Sequence, residues 1–139
     1  MYKMKDMNYY NTFIEVAEDC PVRVAQIPEA KGNAKTIPVL QYEMIANHPY
    51  TYTQEDVLFE VYALRNQIPE EQRQSARETF FDKGQPCLRT SSLGKRYGWG
   101  IHHDQQGKVA LYAVESDEYK RFMNDTGIQH IKAMRTSRA

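Results

Sequence analysis

The chain has few cysteines, no net charge and no long apolar run, and each shortage excludes a class of protein. Only Cys20 and Cys87 are present, whereas small secreted domains usually depend on several disulfides, so we expect two reduced thiols. No stretch approaches the roughly 20 apolar residues that a membrane-spanning helix needs. Lys3 and Lys5 are not followed by the apolar run of a signal peptide. The sequence therefore predicts a cytoplasmic protein without a membrane segment.

The absence of a net charge argues against a protein whose whole surface binds nucleic acid. The charges are nevertheless unevenly placed. Residues 36–82 hold eight acids and three bases, a net charge of −5, and residues 83–139 hold five acids and ten bases, a net charge of +5. The acidic part of one copy could meet the basic part of another. A self-association or protein-interaction module therefore stays open as one alternative, and the oligomeric state is undetermined.

Four segments have the composition of β-strands, which is rich in aromatic and β-branched residues. The first is Tyr9–Ala17, and a last strand is assigned to residues 128–134. Residues 97–103 and 108–114 flank a turn at residues 104–107 and are predicted to form a hairpin. Because residues 109–114 are apolar on both faces, we place this strand in the centre of the sheet.

Four segments carry helix signals: residues 36–48, residues 53–66, residues 69–81, and a short stretch from Ser116 to Phe122. In the second helix, Thr53 and Asp56 nearly match a capping box. The third helix is polar almost all round, so we expect it on the surface, docked through Phe80 and Phe81. Residues 85–95 are expected to form a loop with a short strand at residues 87–90.

This order of elements predicts an α+β fold, with an antiparallel or mixed central sheet and a hairpin in the carboxyl-terminal half, packed against three to four helices. A chain of 139 residues can bury one hydrophobic core and is too short for two. Residues 1–139 are therefore expected to form a single domain, with mobile ends at residues 1–7 and 136–139.

The most informative absence is that of acidic residues between Lys83 and His103. This window holds four bases, four glycines, the single tryptophan and one of the two cysteines, and we single out residues 84–104 as the candidate site. Gly98, Gly100 and His102 share one face of the predicted strand. A floor without side chains there admits either a ligand or a closely packed neighbouring element, and we prefer the packing explanation.

The leading hypothesis is a non-catalytic binding or accessory domain. It would hold a small anionic ligand, or an acidic segment of a partner, because guanidinium groups bind carboxylate or phosphate in a bidentate manner. The alternative is that the bases form ion pairs with the acidic helices, for example with Glu60 or Glu71. The predicted ligand-binding residues are Arg89, Ser91, Lys95, Arg96, Tyr97, Trp99 and His102.

A hypothesis from another class is a small enzyme with Cys87 as the nucleophile and His102 as its base. A lone cysteine beside Leu88 is more often a buried apolar residue, so we lean against catalysis and leave the question open. His102 and His103 face opposite sides of a strand, and no cysteine pair has ligand spacing, so no metal or cofactor is expected. Residues 95–99 interleave bases and rings like a stacking platform, but so few bases argue against nucleic-acid binding.

Five runs of residues carry a resemblance to a known family. They are Asn8–Ile14, Glu18–Pro21, Gly84–Arg89, Lys95–His102 and Lys132–Arg135. Together they resemble a family of small, mostly bacterial proteins of about this length that is functionally uncharacterised. The resemblance covers nearly the whole chain and implies a stand-alone cytoplasmic domain. It implies no activity, substrate or catalytic residue.

Overall fold

A computed structural model of the chain describes residues 6–136. The mobility expected at the two ends falls mainly on residues 1–5 and 137–139, which lie outside the described part. The described elements are β1 (Thr12–Glu15), α1 (Ile37–Asn47), α2 (Gln54–Arg65), α3 (Arg73–Asp82), α4 (Ser92–Lys95), β2 (Trp99–His103), β3 (Val109–Ala113), α5 (Asp117–Asn124) and β4 (Gln129–Lys132), with 3-10 turns at Glu70–Gln72 and Leu88–Thr90.

The four strands form one mixed sheet in the order β3-β2-β1-β4. β2 is antiparallel to both of its neighbours, whereas β4 runs parallel to β1. β1 is central, and Thr12, Phe13 and Ile14 are almost completely buried because both faces of this strand are covered. The predicted α+β fold, with a mixed sheet and a hairpin in the carboxyl-terminal half, is confirmed.

The prediction that the second hairpin strand is central is wrong, since β3 lies at an edge of the sheet. Both of its faces are apolar because α1 contacts it from one side and α5 from the other. Residues 50–53 cover its outer edge. Tyr50 N donates to Val109 O and Val109 N donates to Tyr52 O, both at 2.9 Å. An edge strand covered in this way has the composition of a central one.

The helix starts agree with the sequence signals. Thr53 Oγ1 accepts a hydrogen bond from Asp56 N at 3.2 Å, and the Asp56 carboxylate accepts one from Thr53 N at 3.0 Å, so the capping box of α2 is complete. α3 is preceded by a 3-10 turn and docks on α2 through Phe80, whose ring lies 4.6 Å from that of Tyr62. The surface position predicted for this helix is confirmed, since none of its residues is buried.

The strand predicted at residues 87–90 is wrong, because Leu88–Thr90 form a 3-10 turn and α4 follows directly. Leu88 N donates to the buried Gln54 Oε1 at 2.8 Å. Ser91 Oγ then accepts a hydrogen bond from Leu93 N at 3.1 Å and caps α4. The backbone N–H groups of this segment find hydrogen-bond acceptors in side chains and in its own turns. They therefore do not require pairing with a neighbouring strand.

The core lies between the sheet and the helices α1, α2 and α4. Its centre is a cluster of buried apolar residues from all of these elements, including Ile14, Ile45, Val57, Leu93 and Ile101. The other face of the sheet is covered by α5, and Tyr50 packs beside this helix on His102 and Tyr112. None of the helices in the described part is long and apolar enough to cross a membrane.

Candidate functional site

The glycine-lined strand face beside His102 is filled by aromatic rings. Gly100 and His102 face α5, while Ile101 faces the main core. A Cβ atom at Gly100 would lie 2.5 Å from Phe13 Cζ and 2.7 Å from Tyr119 Cε2. The glycine therefore serves close packing, and this floor holds no space for a ligand.

His102 belongs to a hydrogen-bonded chain of three side chains. Its Nδ1 lies 2.9 Å from Tyr50 Oη, which in turn lies 2.7 Å from Tyr112 Oη. The imidazole stacks on Phe122, with 4.3 Å between ring centroids. Burial lowers the pKa of His102, which a charge at Asp104 offsets only in part, so the ring is neutral near pH 7.

Cys87 lies on the opposite side of the sheet from His102. Its Sγ is 3.3 Å from Tyr9 Oη. The ring of Tyr9 meets the edge of His103, which alternates with His102 along β2. Burial, followed by the hydrogen bond with Cys87, raises the pKa of Tyr9 to about 12. The structure therefore does not bring Cys87 and His102 together as nucleophile and base.

The three bases of the predicted anion site lie in the turn Leu88–Thr90 and at the end of α4. Arg89 Nε donates to the backbone oxygen of Lys132 at 2.9 Å. Lys95 and Arg96 lie at the end of α4, and neither forms an ion pair within residues 6–136. The alternative partner Glu60 is bound by an arginine of α3 at 2.7 Å instead. Within residues 6–136, these bases do not form the ion pairs suggested with Glu60 or Glu71, and a shared anion site stays a prediction.

Tyr97 and Trp99 anchor the long segment between β1 and α1. Trp99 Nε1 donates to Gln26 O at 2.8 Å, and Gln26 N donates to Tyr97 O at the same distance. The indole also packs on Tyr42, with 5.4 Å between ring centroids. Each of these polar contacts is made to the protein's own backbone.

Ser91 alone among the predicted site residues lines a groove of about 470 Å³. This groove, which we call the first groove, lies between α1, α2, the end of α3 and residues 85–92. Its volume is that of a typical small-molecule site. Ser91 Oγ donates to Gln41 Oε1 at 2.6 Å across its floor. Its apolar wall consists of Ile37, Pro38, Leu58, Val61, Tyr62 and Phe80.

The polar groups of the first groove are hydroxyls, amides and one cation. Thr90, Ser91 and Ser92 contribute hydroxyls. Arg65, the last residue of α2, is the only charged residue in the described lining, and it forms no ion pair within residues 6–136. This arrangement can hold an apolar body and one anionic group. Among the described residues, no three histidine, cysteine or acidic side chains come together as metal ligands.

Most of the first groove was not found from the sequence. In the sequence, Arg65 is only a residue near the end of a predicted helix. The fold brings it to the same groove as residues 85–92. One signal was present at Gln41, a polar residue that is 5 % exposed and lies four positions before the buried Ile45. A long polar side chain on the buried face of a helix needs a partner, which Ser91 supplies.

Together, the fold and the first groove define a small α+β protein with a mixed four-stranded sheet and a groove lined by helices. A family model described as "Family of unknown function (DUF6157)" matches residues 4–139, so the chain belongs to this family. The resemblance to an uncharacterised family is thereby confirmed. No curated protein and no solved structure gives a significant match to the chain.

Proposed function

We propose that this protein is a non-catalytic binding domain that holds an amphipathic anion in the first groove. The observation that carries this proposal is the single unpaired cation, Arg65, at the side of a mostly apolar groove of about 470 Å³. A carboxylate or sulfonate can accept two parallel hydrogen bonds from a guanidinium group. In this proposal the anion is bound by a cation of α2, Arg65, and not by the bases of residues 89–96 that the sequence suggested. Ser91 belongs to both versions of the site.

The apolar part of the ligand would lie on Leu58, Tyr62 and Phe80. Burial of apolar surface supplies the affinity, at about 25 cal/mol per Å², and the polar groups fix the orientation. The hydroxyl of Ser91 is already committed to Gln41, which holds the floor of the groove in one arrangement. A preformed floor lowers the entropic cost of binding.

The composition of the groove supports binding over catalysis. Its described lining contains no histidine, cysteine or carboxylate, so no base is present to activate its hydroxyl groups. The Ser91 hydroxyl donates its proton to an amide oxygen, which does not remove it. Two free thiols and the absence of a disulfide between them are compatible with a cytoplasmic location for this domain.

The test uses two dyes of nearly the same shape: 8-anilinonaphthalene-1-sulfonate, which is anionic, and N-phenyl-1-naphthylamine, which lacks the sulfonate. We expect the native protein to enhance the fluorescence of both. Arg65→Gln should weaken binding of the anionic dye by about 3- to 10-fold, because a charge-assisted hydrogen bond is lost at a partly exposed site. It should leave binding of the neutral dye unchanged.

Two further variants complete the experiment. Ser92→Phe fills the groove from its rim and should abolish binding of both dyes, whereas Arg23→Gln changes an exposed arginine elsewhere and should change nothing. Circular dichroism checks that each variant is folded. Equal dye binding by the wild type and Ser92→Phe, or no binding to the wild type, would overturn the proposal.

A further inference from the structure

A second groove, of about 490 Å³, adjoins the first one. The two share Tyr62, Phe80 and Gln85 in their walls. The rings of Tyr62 and Phe80 lie 4.6 Å apart, and Tyr62 is 39 % exposed, so an apolar ridge joins the two grooves. Each groove alone has the volume of a small-molecule site. A ligand that occupied both would have to be elongated.

The floor of the second groove is one face of α3 and the turn before it. Gln72, Ser75, Ala76, Thr79 and Lys83 line this groove. Their spacing of three and four residues places them on one side of a helix. The three central side chains are short, so the backbone of another chain can approach closely. The arginines of α3 instead point to α2, where Arg77 binds Asp56 at 3.0 Å.

This floor offers hydrogen-bond acceptors suited to backbone amides. Ser75 Oγ donates to Gln72 O at 3.2 Å, and Thr79 Oγ1 donates to Ser75 O at 3.2 Å. Each hydroxyl has therefore used its proton and keeps lone pairs that can accept a hydrogen bond from an N–H group. A peptide brings such N–H groups at regular intervals, whereas a simple hydrocarbon anion brings none.

The charged side chains in the described linings of the two grooves have the same sign, and both are positive. The first is lined by one charged residue, Arg65, and the second by one charged residue, Lys83. Both are cations, and no carboxylate is part of either described lining. Neither cation forms an ion pair within residues 6–136. An occupant complementary to this surface carries an anionic group near each end and an apolar group over the ridge.

We infer that the occupant is an acidic peptide segment of a partner protein, which lies across both grooves. Carboxylates of the segment bind Arg65 and Lys83, and an aromatic or aliphatic side chain between them packs on Tyr62 and Phe80. Its backbone amides donate to the hydroxyls of Ser75 and Thr79. This inference rests on the proposed function of the first groove and extends it to the second.

The test uses three acetylated, fluorescently labelled seven-residue peptides with Leu-Phe-Leu at the centre. In the first peptide, the two residues on each side of this centre are glutamate. They are glutamine in the second peptide and lysine in the third. Fluorescence anisotropy should show that the glutamate peptide binds, that the glutamine peptide binds about 10-fold more weakly, and that the lysine peptide does not bind. Binding of the glutamate peptide should weaken as salt is added, because its ionic contacts are screened.

Variants of the second groove separate the two proposals. Lys83→Gln should weaken peptide binding by about 3- to 10-fold, and Thr79→Trp, which fills the second groove, should abolish it. Both should leave binding of the anionic dye in the first groove unchanged. Lys120→Gln, in which an exposed lysine of α5 is changed, is the matched control and should bind the peptide like the wild type.

The outcomes are distinct. If the dye binds but the peptide does not, or if peptide binding is insensitive to Lys83→Gln and Thr79→Trp, then the inference is overturned and the proposed function of the first groove stands. If neither dye nor peptide binds to the wild type, both are overturned. Equal affinity for the glutamate and lysine peptides would also overturn the inference, because charge complementarity would then play no part.

Discussion

His103 is the most unusual single residue in the core. Its side chain is 0 % exposed, and neither ring nitrogen has a hydrogen-bond partner within residues 6–136. The ring meets Tyr9 edge to face, with 5.4 Å between centroids. Burial lowers the pKa of His103 to about 4, which the nearby backbone of Ile101 offsets only in part. The imidazole is therefore a neutral, poorly solvated group in the native state.

This histidine should make the protein less stable in acid. Between pH 6.5 and 4, the unfolded chain binds a proton at His103 that the folded protein does not bind, so the free energy of unfolding falls as the pH falls through this range. The loss attributable to a shift from 6.5 to about 4 is roughly 3 kcal/mol. His103→Leu removes the titrating group and should lose less stability over the same interval.

The measurement is urea-induced unfolding of both proteins at several pH values from 7.5 to 4. The other titrating groups are common to both proteins, so their contributions cancel in the difference. The stability of His103→Leu relative to the wild type should rise by about 3 kcal/mol on acidification. Parallel pH profiles would show that the pKa of His103 is the same in the folded protein as in the unfolded chain.

Strand alternation was enough to predict which residues of β2 share a face, but not what covers that face. The sequence placed Gly98, Gly100 and His102 together. The structure keeps Gly100 and His102 on one face, with Phe13 and Tyr119 above Gly100, whereas Gly98 precedes β2 and has a φ of +83°. Both rings belong to other elements, β1 and α5. No local sequence pattern around Gly100 predicts that they pack on it. The unsatisfied nitrogens of His103 could not be predicted for the same reason.

At the scale of elements, two threonines in equivalent positions allow a direct comparison of helix caps. Thr53 caps α2 through a hydrogen bond from Asp56 N, whereas Thr36, at the start of α1, makes no such side-chain bond. Thr53→Ala should therefore lower the free energy of unfolding by about 1 kcal/mol. Thr36→Ala should change it by less than about 0.5 kcal/mol.

Chemical denaturation of the two variants beside the wild type measures this difference. A larger loss for Thr36→Ala than for Thr53→Ala would contradict the assigned caps. Asp56→Asn is a useful addition, since it weakens the reciprocal bond to Thr53 N and the ion pair with Arg77 together. It should therefore cost at least as much as Thr53→Ala.

The sequence predicted helices and hairpin well because their signals are local: a capping residue, a proline in the first turn, a turn between two apolar strands. It failed where a distant group decides the structure. Residues 87–90 turn because Gln54 accepts a hydrogen bond from Leu88 N. β3 is apolar on both faces because two helices and the segment at residues 50–53 surround it at the edge of the sheet.

At the scale of the whole molecule, the first groove exists because three separated parts of the chain meet. α1 supplies Gln41, α2 supplies Arg65, and the segment before α4 supplies Ser91. The candidate window at residues 84–104 therefore contained one wall of the groove and none of its cationic side. A site assembled from segments about 25 residues apart has no spacing that a single sequence reveals.

Gln54 connects two of these parts, α2 and the segment before α4, and its replacement should loosen the groove as well as the fold. It is 0 % exposed, and its Nε2 donates to Met7 O while its Oε1 accepts from Leu88 N. Gln54→Leu keeps the volume but leaves both backbone groups without a partner. Each such group costs about 1–3 kcal/mol, so we expect a loss of at least 2 kcal/mol in the free energy of unfolding. Gln74→Leu, at an exposed position of α3, should change stability by less than about 0.5 kcal/mol.

Hydrogen exchange should show faster exchange of the Leu88 amide in Gln54→Leu, and the anionic dye should bind this variant more weakly, because residues 85–92 form a wall of the first groove. Equal stability of the two leucine variants, or an unchanged exchange rate at Leu88, would show that this buried amide does not hold the wall in place.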